Sequence, residues 1–444
     1  MNNARSAALS ALLHVDVNEG YSNIVLDKTL SAFTLEQRDK ALASAIFYGV
    51  LERRITLDYI IGQFSKTPIK RMSPPVLEIL RLGAYQILYL DKIPKSAAVN
   101  ESVNLAKEKE PVKASGFINA VLRALLRNID HIKMPDPEKE PLLYLSITYS
   151  YPEWLIALWQ KSYGEECTLG LLESSLNKPP VFARVNNTSV SEENLIERLN
   201  SEGIKANAIT WLDHAVELQN IGAVSQSSCF QEGMFHIQDL SSQLCCSLLN
   251  PTAGQRVIDV CSAPGGKAFT IAEIMKNQGE LFAFDKYKGK VRLIQQGAQR
   301  LKLSMIKAAV RDAVNEQASL EPADKVLCDA PCSGLGIIRR KPEIRYKLQS
   351  AIDSLPDLQY RILCESSKLV KSGGTLFYST CTLNPNENFQ VAAKFLKNNN
   401  GFEPFTLHLP NALARVVDEP DNQLTLMPHV HGTDGFFVAA FQKK

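Results

Sequence analysis

From about residue 233 to the end of the chain, short apolar runs alternate with longer stretches of helical spacing. This alternation constrains the fold more than any other feature. The strand candidates are Arg256–Val260, Leu281–Phe284, Ile306–Val310, Lys325–Cys328, Thr375–Ser379 and Phe436–Phe441. Repeated strand–helix alternation implies a parallel, doubly wound sheet, because parallel neighbours need a crossover long enough to hold a helix. Ligands of such sheets bind outside the carboxyl ends of the strands.

The rest of the 444-residue chain has a different pattern. Residues 1–130 read as all-helical, with helices expected at Arg5–Asp16, Gln37–Arg54, Val76–Leu90, Ala97–Lys107 and Gly116–Arg127. Val76, Ile79, Leu80, Ala84, Ile87 and Leu88 form one apolar stripe, and Pro74-Pro75 opens that helix. Residues 134–141 are polar and Pro-rich, as in a linker. Residues 142–232 look mixed, with helices from Pro152 and over Glu192–Glu202 and a strand at Val181–Val185. The reading is a multidomain chain: an all-α domain at 1–133, a small α+β connector at 142–232, and an α/β Rossmann-like domain at 233–444.

No apolar run approaches the roughly 20 residues a membrane helix needs, and the start Met1-Asn2-Asn3-Ala4-Arg5 carries no signal-peptide core. A cytoplasmic monomer without a membrane partner is expected. The nine cysteines are odd in number and contain no CxxC pair, so neither a disulfide framework nor a zinc site is expected.

Val257-Ile-Asp-Val-Cys-Ser-Ala-Pro-Gly-Gly-Lys267 runs an apolar strand into a small-residue turn and then a helix. Gly265 and Gly266 let backbone approach a ligand, and the helix N-terminus offers N–H groups to a carboxylate. GxGxxG and GxxxxGK[ST] are both absent, which disfavours dinucleotides and nucleoside triphosphates. Asp285 follows the second strand, where an acid commonly binds ribose hydroxyls. Asp312 follows the third, where a side chain could meet an adenine edge. A carboxylate, a ribose and an adenine without phosphate describe S-adenosylmethionine.

Asp329 and Cys332 lie where the fourth strand ends, and Cys381 where the fifth ends. Most free cysteines are small buried hydrophobes, the expectation for Cys167, Cys229, Cys245, Cys246, Cys328 and Cys364. Cys332 and Cys381 differ because both sit in turns at the functional edge. A thiolate there has a clear use: adding to carbon 6 of cytosine, it makes carbon 5 nucleophilic towards a sulfonium methyl. A free thiol is only a few per cent ionised at neutral pH, so the site must favour the thiolate. Asp329 is placed to bond the edge of the base.

Arg339, Arg340 and Lys341 open a basic run beside the second motif. Charge runs are more often a solvated helix face, but this position favours contact with a nucleic-acid backbone. The net charge of +2 conceals a partition: residues 1–130 carry +4, 131–232 carry −7 and 233–444 carry +5. The excess of positive charge lies in the two segments expected to touch RNA.

Cys-Ser-Ala-Pro-Gly-Gly-Lys (261–267), Asp-Ala-Pro-Cys-Ser-Gly-Leu-Gly (329–336) and Ser-Thr-Cys-Thr (379–382) together resemble RNA 5-methylcytosine methyltransferases of the NOL1/NOP2/Sun family. Gln238-Asp239-Leu-Ser-Ser242 and Gly432-Thr-Asp-Gly-Phe-Phe-Val-Ala439 are also similar to that family. In the first third, Arg38-Asp-Lys-Ala-Leu-Ala-Ser, Ile93-Pro-Lys-Ser-Ala-Ala-Val-Asn-Glu101 and Gly116-Phe-Ile-Asn-Ala-Val-Leu-Arg123 resemble the NusB-type helical RNA-binding domain. The resemblance implies S-adenosylmethionine-dependent methylation of cytosine carbon 5 in 16S ribosomal RNA. It implies Cys381 as nucleophile, with Cys332 assisting release of the methylated base. It implies a cofactor pocket of Cys261, Ser262, Ala263, Pro264, Gly265, Gly266, Lys267, Asp285, Asp312 and Asp329. Three departures stand out: Ser262 for the usual Ala, Asn386 where an acid is common, and a slightly long stretch at 286–292. The rivals are a transfer-RNA cytosine methyltransferase, which would share the catalytic residues, and a non-catalytic RNA-binding assembly factor, against which the intact thiols argue.

Overall fold

The computed structural model describes residues 3–18, 22–109, 112–315, 320–413 and 415–444; Met1 and Asn2, part of the expected signal-free start, lie outside them. The chain packs into two compact units: residues 1–168 with 338–347, and residues 169–337 with 348–444.

The first unit is helical, and its helices bury Leu9, Leu12, Phe47, Val50, Leu57, Ile61, Ile79, Leu80 and Leu122 in one core. Pro74 and Pro75 occupy the first turn of helix Pro74–Tyr89, where a missing N–H costs nothing. The expected helix Gln37–Arg54 stops at Glu52; Arg53, at φ −117° and ψ 15°, bends the chain into a second helix, Arg54–Phe64. That helix and Ser22–Ala32 are additions to the sequence reading. The segment 141–168, expected to begin the connector, packs here instead. The reason is polar as well as apolar: Thr56 donates to Ile147 O at 2.6 Å, Arg53 donates to Thr148 O at 3.1 Å, and Ile55 N donates to Ser150 Oγ at 3.0 Å.

The basic run is not a solvated helix face. Its 3₁₀ turn Pro342–Tyr346 packs into the helical unit. Arg345 is 1% exposed, donates to Glu52 O, Tyr149 O and Ser150 O at 3.0, 3.4 and 3.3 Å, and lies 4.3 Å from the Tyr151 ring centroid. Tyr346 donates to Leu51 O at 2.6 Å.

The second unit holds two sheets. Strands β1 (Val181–Val185), β2 (Lys205–Ala208), β3 (Ala215–Gln219) and β4 (Phe235–Ile237) form an antiparallel sheet in the order β2-β3-β1-β4. Ala183, Val185, Val216, Leu218 and Phe235 share a core with Leu195 and Leu199 of helix Glu192–Ser201. β4 lies past residue 232, so this sheet runs beyond the expected end of the connector.

The larger sheet contains β5 (Arg256–Asp259), β6 (Glu280–Asp285), β7 (Ile306–Val310), β8 (Ala323–Asp329), β9 (Val370–Thr380), β10 (Phe402–Pro404), β11 (Gln423–Leu426) and β12 (Phe436–Lys443). Its order is β10-β12-β9-β8-β5-β6-β7, with β11 also on β12. The five strands β5 to β9 are parallel, while β10, β11 and β12 pair antiparallel. The expectation of a parallel sheet is therefore corrected to a mixed one. Alternation of apolar residues has the same period in either direction, so it cannot show that β12 returns against β9. Both faces of the sheet are covered, one by a core including Leu281, Leu327 and Phe377, the other by one including Val326, Tyr378 and Phe395. Among the described residues no helix is long and apolar enough to cross a membrane.

Candidate functional site

From the β5/β8 pair the sheet order runs outward in both directions, so the crevice where ligands bind lies beyond the carboxyl ends of these two strands. β5 ends at Asp259, β6 at Asp285, β8 at Asp329 and β9 one residue before Cys381. Asp329 is in register with Ser379, which brings the loops bearing Cys332 and Cys381 side by side.

After β5 the backbone turns sharply. Ser262 N donates to Phe284 O of β6 at 2.7 Å, and Gly265 N donates to Ser262 O at 2.8 Å. Gly265 has φ +113°, and a Cβ there would lie 2.5 Å from the Phe269 ring. Only glycine meets both demands. Helix Gly266–Ile274 follows at once, and its first turn leaves N–H groups free for an anion.

Lys267 turns back under this loop. Its Nζ lies 2.7 Å from Asp329 Oδ2 and 5.1 Å from the Phe436 ring centroid. Burial would lower its pKa, but the Asp329 carboxylate prevails and holds it up. Asp329 Oδ1 accepts from Ser379 Oγ at 2.8 Å. Among the described residues Asp259, fully buried, has no well-formed hydrogen bond at either oxygen, though Ser262 and the Cys261 N–H act on it. Burial, with the Asp329 charge nearby, pushes its carboxyl up to about 7.

Asp285 accepts from Tyr287 N at 3.0 Å and lies 3.9 Å from Lys290. Asp312, two residues past β7, accepts from Val314 N at 3.1 Å and Asn315 Nδ2 at 2.9 Å and pairs with Lys286 at 3.2 Å. Val314 N and the other partners hold its pKa below the usual carboxylate value.

The two sulfurs meet: Cys332 Sγ and Cys381 Sγ are 3.3 Å apart. The hydrogen bond to Cys381, then burial, pushes the Cys332 thiol well up. Gly336 N donates to Cys381 O at 3.0 Å and Gly435 N to Gly336 O at 2.9 Å. A Cβ on Gly336 would lie 2.0 Å from Gly435 O, so this loop contact requires glycine.

Residues 261–267, Asp285, Asp312, Asp329, Cys332 and Cys381 thus share one edge of one unit. Arg339, Arg340 and Lys341 do not belong to that unit; they are half-buried in the segment that packs with the helices. All nine cysteines are free; Cys229, Cys245, Cys246 and Cys328 are buried as expected, while Cys167 and Cys364 are only half-buried. Asp259 and Ser379, quoted within the motifs but given no role there, and Glu387, outside them, are further polar residues of this edge. Asp259 carried a signal, an acid inside the apolar run Val257-Ile-Asp-Val260.

A seven-strand path ending in antiparallel strands, with a glycine loop at its switch point, defines a Rossmann-like methyltransferase. Three family models match the chain: "NusB family" over 2–127, "Methyltr_RsmF/B-like, ferredoxin-like domain" over 151–225, and "16S rRNA methyltransferase RsmB/F" over 246–442. A relative from Bacillus subtilis named probable ribosomal RNA small subunit methyltransferase B is 37% identical, covering 99% of this chain and 98% of its own. The crystal structure of PH0851 superposes with a TM-score of 0.85 at 24% identity, covering 100% of this chain and 99% of that one. NSun6 from Pyrococcus horikoshii with SFG superposes at 0.60 and 22% identity, covering 67% of this chain and 99% of that one. The chain belongs to the 16S rRNA methyltransferase RsmB/F family. It is an S-adenosylmethionine-dependent rRNA methyltransferase with a NusB-type helical domain and a ferredoxin-like domain.

The site fits that cofactor on its own geometry. The buried Ser262 hydroxyl and Asp259 carboxyl act on each other without a well-formed hydrogen bond among the described residues, and helix Gly266–Ile274 starts directly after the glycine turn. Lys267 is committed to Asp329, so it is not the free cation that a triphosphate site would offer.

Proposed function

We propose that this protein methylates carbon 5 of a specific cytosine in 16S ribosomal RNA through a covalent adduct between Cys381 and carbon 6. The single observation that carries the reading is the pair of sulfurs 3.3 Å apart beside the glycine loop. Residues 261–267, Asp285, Asp312 and Asp329 would hold S-adenosylmethionine, which supplies an electrophilic methyl group when bound.

Cys381, as thiolate, adds to carbon 6 and displaces electron density onto carbon 5. Cys332 holds a proton against the sulfur of Cys381 and so favours the charge there. Once carbon 5 bears the methyl group, its proton passes to a solvent water, the electron pair of that C–H bond restores the ring double bond, and the bond to carbon 6 breaks to return the Cys381 thiolate. Cys332 assists this release. An unpaired or splayed-out cytosine is the expected substrate, because both face and edge of the base must be reached.

The family models fall one into each of the segments 1–133, 142–232 and 233–444, and we take these as three domains, with 142–168 folding against the first and β4 completing the sheet of the second. Arg339, Arg340 and Lys341 are assigned to RNA backbone contact, and the protein to the cytoplasm as a monomer. The test is bisulfite sequencing of ribosomal and transfer RNA from cells with and without the protein. One protected 16S cytosine should become convertible in its absence. Loss confined to transfer RNA, or no loss, overturns the reading.

A further inference from the structure

Glu387 is fully buried, and no lysine or arginine pairs with it among the described residues. Its Oε2 accepts from Ser333 N at 2.8 Å and from Gln359 Nε2 at 2.8 Å, and its Oε1 accepts from Asn384 Nδ2 at 2.9 Å. Its main-chain oxygen accepts from Tyr378 OH at 2.5 Å. The three groups facing the carboxyl oxygens are all N–H donors, which suits a carboxylate and not an acid.

The origins of these donors matter. Ser333 follows Cys332 directly. Asn384 lies three residues after Cys381. Gln359 comes from helix Leu355–Lys368, which lies between β8 and β9 in the chain. A second link, Ser333 Oγ to Thr382 Oγ1 at 2.7 Å, joins the residues that follow the two thiols. A buried carboxylate without a counter-ion is costly unless its hydrogen bonds repay it, and here they tie three segments together.

We propose that Glu387 is a positioning residue for the thiol pair: its carboxylate locks the loop carrying Cys332 onto the turn carrying Cys381. The charge of Glu387 also acts on Cys332, adding to the hydrogen bond and burial that keep its proton in place. The proposal rests on the covalent reading of Cys381 and assigns that reading a support no thiol motif contains. Glu387→Gln keeps the shape but presents an NH2 group to an N–H donor. The Asn384 amide cannot simply flip to accept from it, because its Oδ1 already accepts from Asn386 N at 3.2 Å.

The test uses the full-length protein and a 16S ribosomal RNA transcript, with Cys381→Ser as a parallel control. In Glu387→Gln, kcat should fall about 10- to 100-fold, as for a displacement of under 1 Å at a reacting pair. KM for S-adenosylmethionine should stay within about twofold. Covalent protein–RNA adduct should accumulate although Cys332 is intact, because release needs Cys332 in place. A role in stability alone would lower Tm without accumulating adduct. Should Glu387→Gln fail to fold, Asn384→Ala removes the tether to the Cys381 turn, together with the bond from Asn386 N, and should move the same readouts in the same direction. Wild-type kcat with no adduct, in whichever variant folds, overturns the proposal. If Cys381→Ser retains activity, the covalent reading itself fails; if it is inactive while the Glu387 variant is normal, only the positioning role fails.

Discussion

At the residue scale, Cys332 and Cys381 stand sulfur to sulfur at 3.3 Å, and the proposed reaction makes Cys381 the nucleophile. The contact with Cys381 and burial raise the Cys332 thiol, which on that proposal favours negative charge on Cys381. Cys381→Ser should therefore abolish methyl transfer, and Cys332→Ala should leave a protein–RNA adduct visible on a denaturing gel. Full methylation by the Cys381 variant would refute the assignment. Asp259 gives a second prediction. Its folded pKa, about 7, lies above the ordinary carboxylate value, so the folded state holds its proton more firmly than the unfolded state does. Stability is therefore lost as pH rises from about 4 to about 7 and does not change further above that through this group. Asp259→Asn should raise Tm relative to wild type by a margin that widens across that window. An equal Tm difference at pH 4 and pH 8 would show that the carboxyl does not titrate there.

At the element scale, two short segments do more than their length suggests. The glycine turn before helix Gly266–Ile274 is held at φ +113°, with the Phe269 ring where a side chain would go. Gly265→Ala should cost about 1–3 kcal/mol in stability. Cofactor affinity, measured by calorimetry, should fall with it, and unchanged affinity would separate the turn from the binding site. The 3₁₀ turn Pro342–Tyr346 is the other segment. Arg345 satisfies three carbonyls of the helical unit. Arg345→Ala strands these acceptors, the Ser150 oxygen buried and the other two half-buried, and should destabilise that unit by on the order of 3 kcal/mol, seen in denaturant melts. A change under about 0.5 kcal/mol, typical of surface sites, would mean water replaces the guanidinium without loss.

At the scale of the whole molecule, the charge partition predicts a salt-sensitive hold on RNA. A net charge of +2 is the sum of a basic helical segment, an acidic connector and a basic catalytic segment. Binding through such basic segments releases counterions, so affinity for a 16S transcript should drop about tenfold or more between 50 and 200 mM salt. Replacing basic residues within 1–130 should reduce the slope of log affinity against log salt. A salt-independent affinity would place the contact on base edges and not on phosphates.

Local sequence determined most of the edge where chemistry is proposed. The loop 261–267, Asp285, Asp312, Asp329, Cys332 and Cys381 were legible because glycine, acid and thiol follow apolar runs, and strand ends define that edge whatever the strand order. The apolar stripe of helix Pro74–Tyr89 and its proline start were legible for the same reason: they are set by residues within a few positions of one another. What depends on distant pairing was not. The return of β12 against β9, the packing of 141–168 with the helices and the burial of Arg345 follow from partners far along the chain. Glu387 belongs to this second kind. In sequence it is one acid in a polar turn; only folding sets Ser333, Asn384 and Gln359 around it and turns a buried charge into a tie between two thiols.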